Sequence, residues 1–380
     1  MSSLEERICR QLTDIQEKHL LRSPVITEVQ PDGMCTRDGR ELVNFGSNDY
    51  LGLAAVSGTG AATGLGAAAS ALVGGRSAAY DRLEAALAEF EATESALLFP
   101  TGYAANLGVL SGLIGKGDAI FCDRDNHASI IDGARLSGAT FLVYRRQRLD
   151  ALRIALSQRR AESECCVIVT DGVFSMDGTM APLAELCDIA EEYDAAVIVD
   201  EAHGTGVLGR MGRGACEHAR VEDRVLARIG TMSKAMGGMG GFVAGSESLT
   251  QLLRNTARTQ FFSTALPPVV CERMTDSIRT IQNDAAGRQR LQQLTQFAHE
   301  QIGRLSLASV PGGIAPIVPI IVEGNEAVTA AAERLADVGF FIPAIRSPTV
   351  KAGTERLRMS LTVNHSEEQI ATALRHMSVR

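Results

Sequence analysis

AAVIVDEAHGTG, residues 195–206, and VLARIGTMSKAMGGMGG, residues 225–241, decide how this chain is read. Each opens as a short apolar run of strand character and stops abruptly on polar residues. The first run ends on a carboxylate, Asp200, and the second is followed by an amine, Lys234. Five runs of the same kind flank them: SALLF (95–99), AIFC (119–122), FLVY (141–144), CVIVT (166–170) and GFVAG (241–245). Helix-period segments lie between, near 103–114, 128–137, 149–158 and 183–193. Short apolar strands separated by helices predict an α/β fold with a largely parallel sheet covered on both faces. The short gap between VLARIG and GFVAG predicts one antiparallel member. In open sheets of this class ligands bind beyond the carboxyl ends of the strands, where Asp200 and Lys234 fall.

Working outward, 380 residues are too many for one small core and predict a large domain with a smaller one. The pattern changes near residue 268. A long helical stretch over 268–305 leads into IAPIVPIIV (314–322), a helix at 326–338 and two further short strands. The expected division is an N-terminal helix and arm (1–45), a large cofactor-binding domain (46–267) and a smaller C-terminal α/β domain (268–380). Net charge is −8 and the pI is near 5.5, which argues against a general nucleic-acid binder. No run approaches the roughly 18 apolar residues of a membrane span. The amphipathic start, MSSLEERICRQLTDIQEKHLL, is unlike a signal peptide, so the cytoplasm is the expected location. The eight cysteines form no C-x-x-C pair and none lies near a histidine at metal-ligand spacing. They read as thiols of a reducing compartment, and no metal is expected.

The polar residues at the strand ends suggest chemistry. A carboxylate ending a buried strand needs a cation or donor, and a protonated pyridine ring is one such partner for Asp200; a helix cap is the other reading. His203, three residues on, could bond a phenolic oxygen. Lys234 lies among small residues and glycines 237, 238, 240, 241 and 245, a poor setting for a solvated surface charge. Desolvation would lower its pKa and favour imine formation. Thr101, Gly102 and Tyr103 open a helix after SALLFP, where free backbone N–H groups suit a phosphate. His127 precedes a helical run and could stack on a planar ring or cap that helix. Arg22, Arg346 and Arg356 are candidate carboxylate or phosphate partners. The basic run YRRQRLDALR (144–153) could meet an acidic carrier or simply be a solvated loop.

Several longer motifs occur in one order: NFGSNDYLGL (44–53), LLFPTGYAANLGVL (97–110), DRDNHASIIDGARLSGA (123–139), TDGVFSMDGTMAPL (170–183), VDEAHGTGVLG (199–209), TMSKAMGG (231–238) and FFSTALPP (261–268). With these the chain resembles, almost end to end, the α-oxoamine synthases, a branch of the fold-type-I pyridoxal-phosphate enzymes. The resemblance implies a seven-stranded, mostly parallel sheet between helices, with pyridoxal 5′-phosphate as cofactor. It implies that Lys234 is the Schiff-base lysine and acid–base group, Asp200 the partner of the pyridine nitrogen and His127 the stacking, catalytic histidine. Ser175 and His203 would contact the phenolic oxygen, and Gly102, Tyr103 and Thr231 the phosphate. Thr264 resembles a phosphate contact made from a second subunit, which implies a homodimer. Asn48 resembles a residue near the substrate imine, Arg356 the substrate-carboxylate arginine and Arg22 an arginine near the acyl tail.

FFIPAIRSPTVKAGTERLRMSLTVNHSEEQI (340–370) most resembles the biotin-pathway branch. That branch condenses L-alanine with a pimeloyl thioester of coenzyme A or acyl carrier protein, with loss of CO₂. Family members that use glycine, of the glycine C-acetyltransferase or 5-aminolevulinate synthase type, are the alternative. A non-catalytic subunit of the same fold is another, and a nicotinamide-binding protein a third, although no G-x-G-x-x-G follows the first strand. The chain departs from the family where Ala71 replaces a loop arginine, where Tyr80 replaces a histidine, and where Arg-Arg-Gln-Arg (145–148) replaces His-Asn-Asp.

Overall fold

The computed structural model describes residues 3–21, 25–30, 32–54 and 65–378. In chain order its strands are β1 (Thr27–Val29), β2 (Met34–Arg37), β3 (Arg40–Asn44), β4 (Ser95–Phe99), β5 (Ala119–Asp123), β6 (Thr140–Tyr144), β7 (Cys166–Asp171), β8 (Ala196–Asp200), β9 (Ala227–Thr231), β10 (Gly241–Gly245), β11 (Ile317–Ile321), β12 (Phe340–Phe341), β13 (Ala344–Ile345) and β14 (Arg356–Ser360). The helices are α1 (Ser3–Glu17), α2 (Ala78–Glu91), α3 (Gly102–Leu113), α4 (Ala128–Ser137), α5 (Leu149–Arg159), α6 (Leu183–Glu192), α7 (Ala215–Ala219), α8 (Glu247–Thr256), α9 (Arg258–Phe261), α10 (Pro268–Asn283), α11 (Ala285–Arg304), α12 (Asn325–Asp337) and α13 (Glu367–Ser378). The chain divides into two compact units. The larger comprises Asp49–Ser175 and Thr179–Leu291, the smaller Met1–Asn48, Met176–Gly178 and Gln292–Arg380.

All seven expected runs form one sheet of the larger unit, in the order β4-β10-β9-β8-β7-β5-β6. Only β10 runs against its neighbours, pairing antiparallel with both β4 and β9. Every residue of β5, β7 and β9 is buried, which explains continuous apolar runs in place of an alternating pattern. Leu97, Phe99, Val109, Leu110, Ile120, Ile198, Ile229 and Leu253 belong to one core cluster. Fully burying each such side chain is worth about 1.5–3 kcal/mol. At the carboxyl ends of β7 and β8, Asp171 and Asp200 pair in register and therefore lie side by side on one face. A Cβ on Gly241, at the start of β10, would lie 2.4 Å from the Thr101 carbonyl oxygen. Glycine there lets β10 meet the segment that leads into α3.

The smaller unit corrects the expected domain boundaries. The N-terminal arm is not separate: β1, β2 and β3 form an antiparallel meander that β12 extends in parallel, with Phe340 opposite Val43. Phe45 fixes the junction, its ring centroid 6.2 Å from that of Phe340 and 4.3 Å from that of His365. The later boundary moves from 268 to 291, because α10 packs on α2 within the larger unit. The expected long helix over 268–305 is two helices. Asp284 closes α10 and its Oδ1 accepts the Gly287 N–H at 2.8 Å, starting α11 afresh. A second sheet, β11-β14-β13, is antiparallel throughout.

Candidate active site

The carboxyl ends of β7, β8 and β9 and the start of α3 surround a cavity of about 260 Å³ that lies wholly within the larger unit. Its wall contains Gly102, Tyr103, His127, Ser175, Asp200, His203, Thr231 and Lys234. Eight of the twelve residues given roles by the family resemblance are therefore brought together around one space. The other four are not on that wall. Thr264 is exposed and forms an isolated bridge with Ser70. Arg22 lies outside the described residues. Asn48 and Arg356 belong to the smaller unit, where Arg358 Nη1 donates to Asn48 Oδ1 at 3.1 Å. Arg356 is buried there, ion-paired with Asp177, and its Nε donates to the Thr354 carbonyl at 2.9 Å.

Local sequence explains each position. Thr101 caps α3: its Oγ1 accepts the Ala104 N–H at 3.0 Å, and its carbonyl accepts the Ala105 N–H. Of the first turn, the Gly102 and Tyr103 amides are left for an anion. A Cβ on Gly102 would come 2.9 Å from Thr231 Cβ, so glycine brings this turn close to the end of β9. Thr231 is buried, its hydroxyl donating to the Gly240 carbonyl at 2.9 Å. His203 is buried against Tyr50, with 2.7 Å between Nδ1 and the phenol oxygen. His127 caps α4, and its ring stands edge-on to Tyr103 at a centroid distance of 6.2 Å.

Charge is concentrated here. Asp200 is 5% exposed, with Oδ1 accepting the Ala202 N–H at 2.8 Å and Oδ2 accepting Asn106 Nδ2 at 2.6 Å. Asp171 also lines the cavity and its Oδ2 accepts the His127 N–H at 2.7 Å. Burial, reinforced by the neighbouring Asp200 charge, holds the Asp171 carboxyl well above the usual carboxylate range. Burial, reinforced by the Lys234 charge and opposed by Asp200, pushes the His127 imidazole below its ordinary value, so the ring is neutral. The chain has only four lysines, and 18, 116 and 351 are exposed. Lys234 alone is half-buried.

Four contributors escaped the sequence reading. Asp171 ends the run CVIVTD as Asp200 ends AAVIVD, so the same signal was present twice. Asn106 falls one helical turn after Gly102, on the same face of α3. Ser129 and Tyr50 carried no local signal. A Cβ on Gly204 would meet the Glu201 carboxylate at 2.2 Å, so this glycine accommodates the protein's own buried acid. The basic run is largely neutralised within the chain: Arg146 pairs with Asp125 at 2.8 Å and lies 3.8 Å from the Phe174 ring centroid, and Arg148 pairs with Asp150. Arg346 donates to the His19 and Leu21 carbonyls beyond α1. Tyr80 is a core side chain whose hydroxyl donates to the Leu98 carbonyl, and Ala71 starts a single π-helical turn.

The donor set fits pyridoxal 5′-phosphate. It offers one half-buried amine, a carboxylate held by two donors, a neutral planar imidazole, and backbone amides at a helix start for a phosphate.

Comparison with known proteins agrees. The family model described as aminotransferase class I and II matches residues 40–377. The chain is 46% identical over 369 residues to the 8-amino-7-oxononanoate synthase of Methylococcus capsulatus, covering 94% of each sequence. Its fold is similar to that of serine palmitoyltransferase from Sphingomonas wittichii, with a TM-score of 0.90 and 30% identity over 99% of this chain and 96% of that one. It is also similar to 8-amino-7-oxononanoate synthase from Francisella tularensis, with a TM-score of 0.73 and 30% identity over 89% and 97% of the two chains.

Proposed function

The chain belongs to the α-oxoamine synthases within the class I and II aminotransferase family, and from that premise we propose its reaction. It condenses L-alanine with a pimeloyl thioester to give 8-amino-7-oxononanoate, CO₂ and the free carrier thiol. The observation that carries this reading is the convergence of Lys234 and Asp200 on one cavity beside the start of α3. Identity of 46% to the Methylococcus capsulatus 8-amino-7-oxononanoate synthase, against 30% to the Sphingomonas wittichii serine palmitoyltransferase, supports alanine over serine as the amino acid.

Pyridoxal 5′-phosphate, when bound, supplies an electron sink for negative charge at the α-carbon of the amino acid. Lys234 Nζ is the amine that holds the cofactor. Once an amino substrate has displaced it, the same Nζ takes the α-proton and later returns one. Asp200 offers an acceptor to a ring N–H and is kept in place by Asn106 and the Ala202 amide. The Gly102 and Tyr103 amides, with Thr231, bind the phosphate. His127, neutral at physiological pH, adds a planar face without a competing positive charge. Ser175 and His203 are assigned to the phenolic oxygen.

On the motif match alone, Arg356 is assigned to the substrate carboxylate, Asn48 to the amino acid and Arg22 to the acyl tail. Thr264 is assigned to the phosphate bound by a second copy, which makes the working form a homodimer. A cytoplasmic location belongs to the same proposal. It is supported by seven described cysteines that are all free thiols, and among the described residues no helix is long and apolar enough to cross a membrane.

The test is product formation by the purified chain with added cofactor and pimeloyl-CoA, offered L-alanine, glycine or L-serine. We expect 8-amino-7-oxononanoate by mass spectrometry, with alanine the preferred amino acid. Faster turnover of glycine or serine would move the chain to a sister synthase, and no turnover of any would favour a scaffold subunit.

A further inference from the structure

Along the cavity wall, four side chains form one continuous hydrogen-bonded line. Asn106 Nδ2 donates to Asp200 Oδ2 at 2.6 Å and to Ser129 Oγ at 2.9 Å. Ser129 Oγ in turn lies 2.7 Å from His127 Nδ1. Asn106 and Ser129 are almost wholly removed from solvent.

The direction of every bond follows from which atoms can donate. An ionised carboxylate only accepts, so the amide nitrogen of Asn106 faces Asp200. Its two N–H groups then go to Asp200 and to Ser129 Oγ. The Ser129 backbone N–H, which can only donate, is 3.3 Å from His127 Nδ1. That contact is long; the shorter one decides the tautomer, because with Asn106 donating to Ser129 Oγ the hydroxyl proton turns towards Nδ1 at 2.7 Å, so Nδ1 accepts and the ring proton sits on Nε2. One consequence is unfavourable: Asn106 Oδ1 is buried and has no hydrogen-bond partner among the described residues. A buried orphan acceptor calls for a reason, and here the reason is the orientation of the nitrogen on the same amide.

We propose that Asn106, acting through Ser129, is a positioning residue that aims the Asp200 carboxylate and fixes His127 in its neutral Nε2–H tautomer. The two groups assigned to the cofactor ring are thereby tied to one amide. The use of this relay rests on the function proposed above, but its existence does not.

The relay is tested by NMR of the full-length chain labelled with [¹⁵N]histidine, before and after addition of pyridoxal 5′-phosphate. The chain has seven histidines, and His127 is identified by the signal missing from His127→Gln. Without cofactor, the wild type should show a protonated Nε2 and an unprotonated Nδ1. Ser129→Ala and Asn106→Ala should both admit the Nδ1–H form, while Ser129→Thr, which keeps the hydroxyl, should not. Asn106→Ala should also weaken cofactor binding by roughly tenfold or more, the loss of one hydrogen bond to a charged group. An Nδ1–H ring in the wild type overturns the proposal. So does an unchanged tautomer in Asn106→Ala, even if cofactor affinity falls. If Asn106→Ala does not fold, an unchanged tautomer in Ser129→Ala overturns it equally. A wild type with the expected tautomer that takes up no pyridoxal 5′-phosphate refutes the cofactor reading and leaves the relay standing.

Discussion

Asp200 and Glu201 are neighbours at the end of β8, yet their side chains enter two different worlds. Asp200 points to the face that carries the cavity. Glu201 points to the opposite face, where its carboxylate accepts the Ala215 and Cys216 N–H groups, each at 2.7 Å. Beside it, on the same side of the sheet, Arg228 of β9 donates to Glu222 at 2.9 Å and lies 3.5 Å from Glu91. Both faces bury charge. On the first, the charges border open space. On the second, protein groups fill the surroundings, and Arg213 closes the network on Glu222. The difference teaches that burial of charge does not by itself mark an active site. What marks it is buried charge beside a cavity.

The comparison breaks if the two faces respond alike to substitution. The largest effect belongs to Lys234→Ala, which should reduce turnover by about 10⁴-fold or more, since the proposed covalent and acid–base roles both fall on this residue. Its urea midpoint should stay near that of the wild type. Arg228→Met should do the reverse. Removing the buried guanidinium that pairs with Glu222 and lies against Glu91 should lower unfolding free energy by about 3–5 kcal/mol, with kcat per folded molecule within a factor of about two.

Glu91 sharpens the contrast through pH. Neither of its carboxyl oxygens accepts a hydrogen bond among the described residues, and burial, only partly offset by Arg228 and reinforced by Glu201 and Glu222, pushes its pKa up to about 8. Between the unfolded value near 4.5 and about 8 the folded chain binds this proton more tightly than the unfolded chain. The stability so gained is complete below the unfolded value and is lost as pH rises through 8. Glu91→Gln cannot lose it. Relative to wild type, this variant should therefore gain on the order of 2–3 kcal/mol between pH 6 and 8.5, read from urea midpoints. An unchanged difference across that range would mean Glu91 is ionised in the fold. The smallest effect is expected at Asp171, whose carboxyl is held towards its protonated form by burial and the neighbouring Asp200 charge. Asp171→Asn should keep the acceptor for the His127 N–H and alter kcat/KM by less than about threefold, whereas a large loss would show that its charge matters.

The two faces were not equally legible. Asp200, Lys234 and the seven strands could be read because a polar residue closing an apolar run is a local signal. Glu201, Arg228 and Glu91 form their network only when β8, β9 and the end of α2 come together, and no local pattern announces that. The same reason hid β1–β3: they are short and half-exposed, and the strand that completes their sheet, β12, lies far along the chain. Asn106 and Ser129 were hidden differently. An asparagine inside one helix and a serine in the first turn of the next look ordinary until the 2.6 Å and 2.9 Å contacts are seen.

The central claim is that Lys234 is the amine that holds the cofactor. It is tested most directly by incubating the chain with pyridoxal 5′-phosphate, reducing with borohydride, digesting, and locating the pyridoxyl group by mass spectrometry. A single stoichiometric label is expected on Lys234 and none on Lys18, Lys116 or Lys351. A label spread over the exposed lysines, or absent from Lys234, would contradict it.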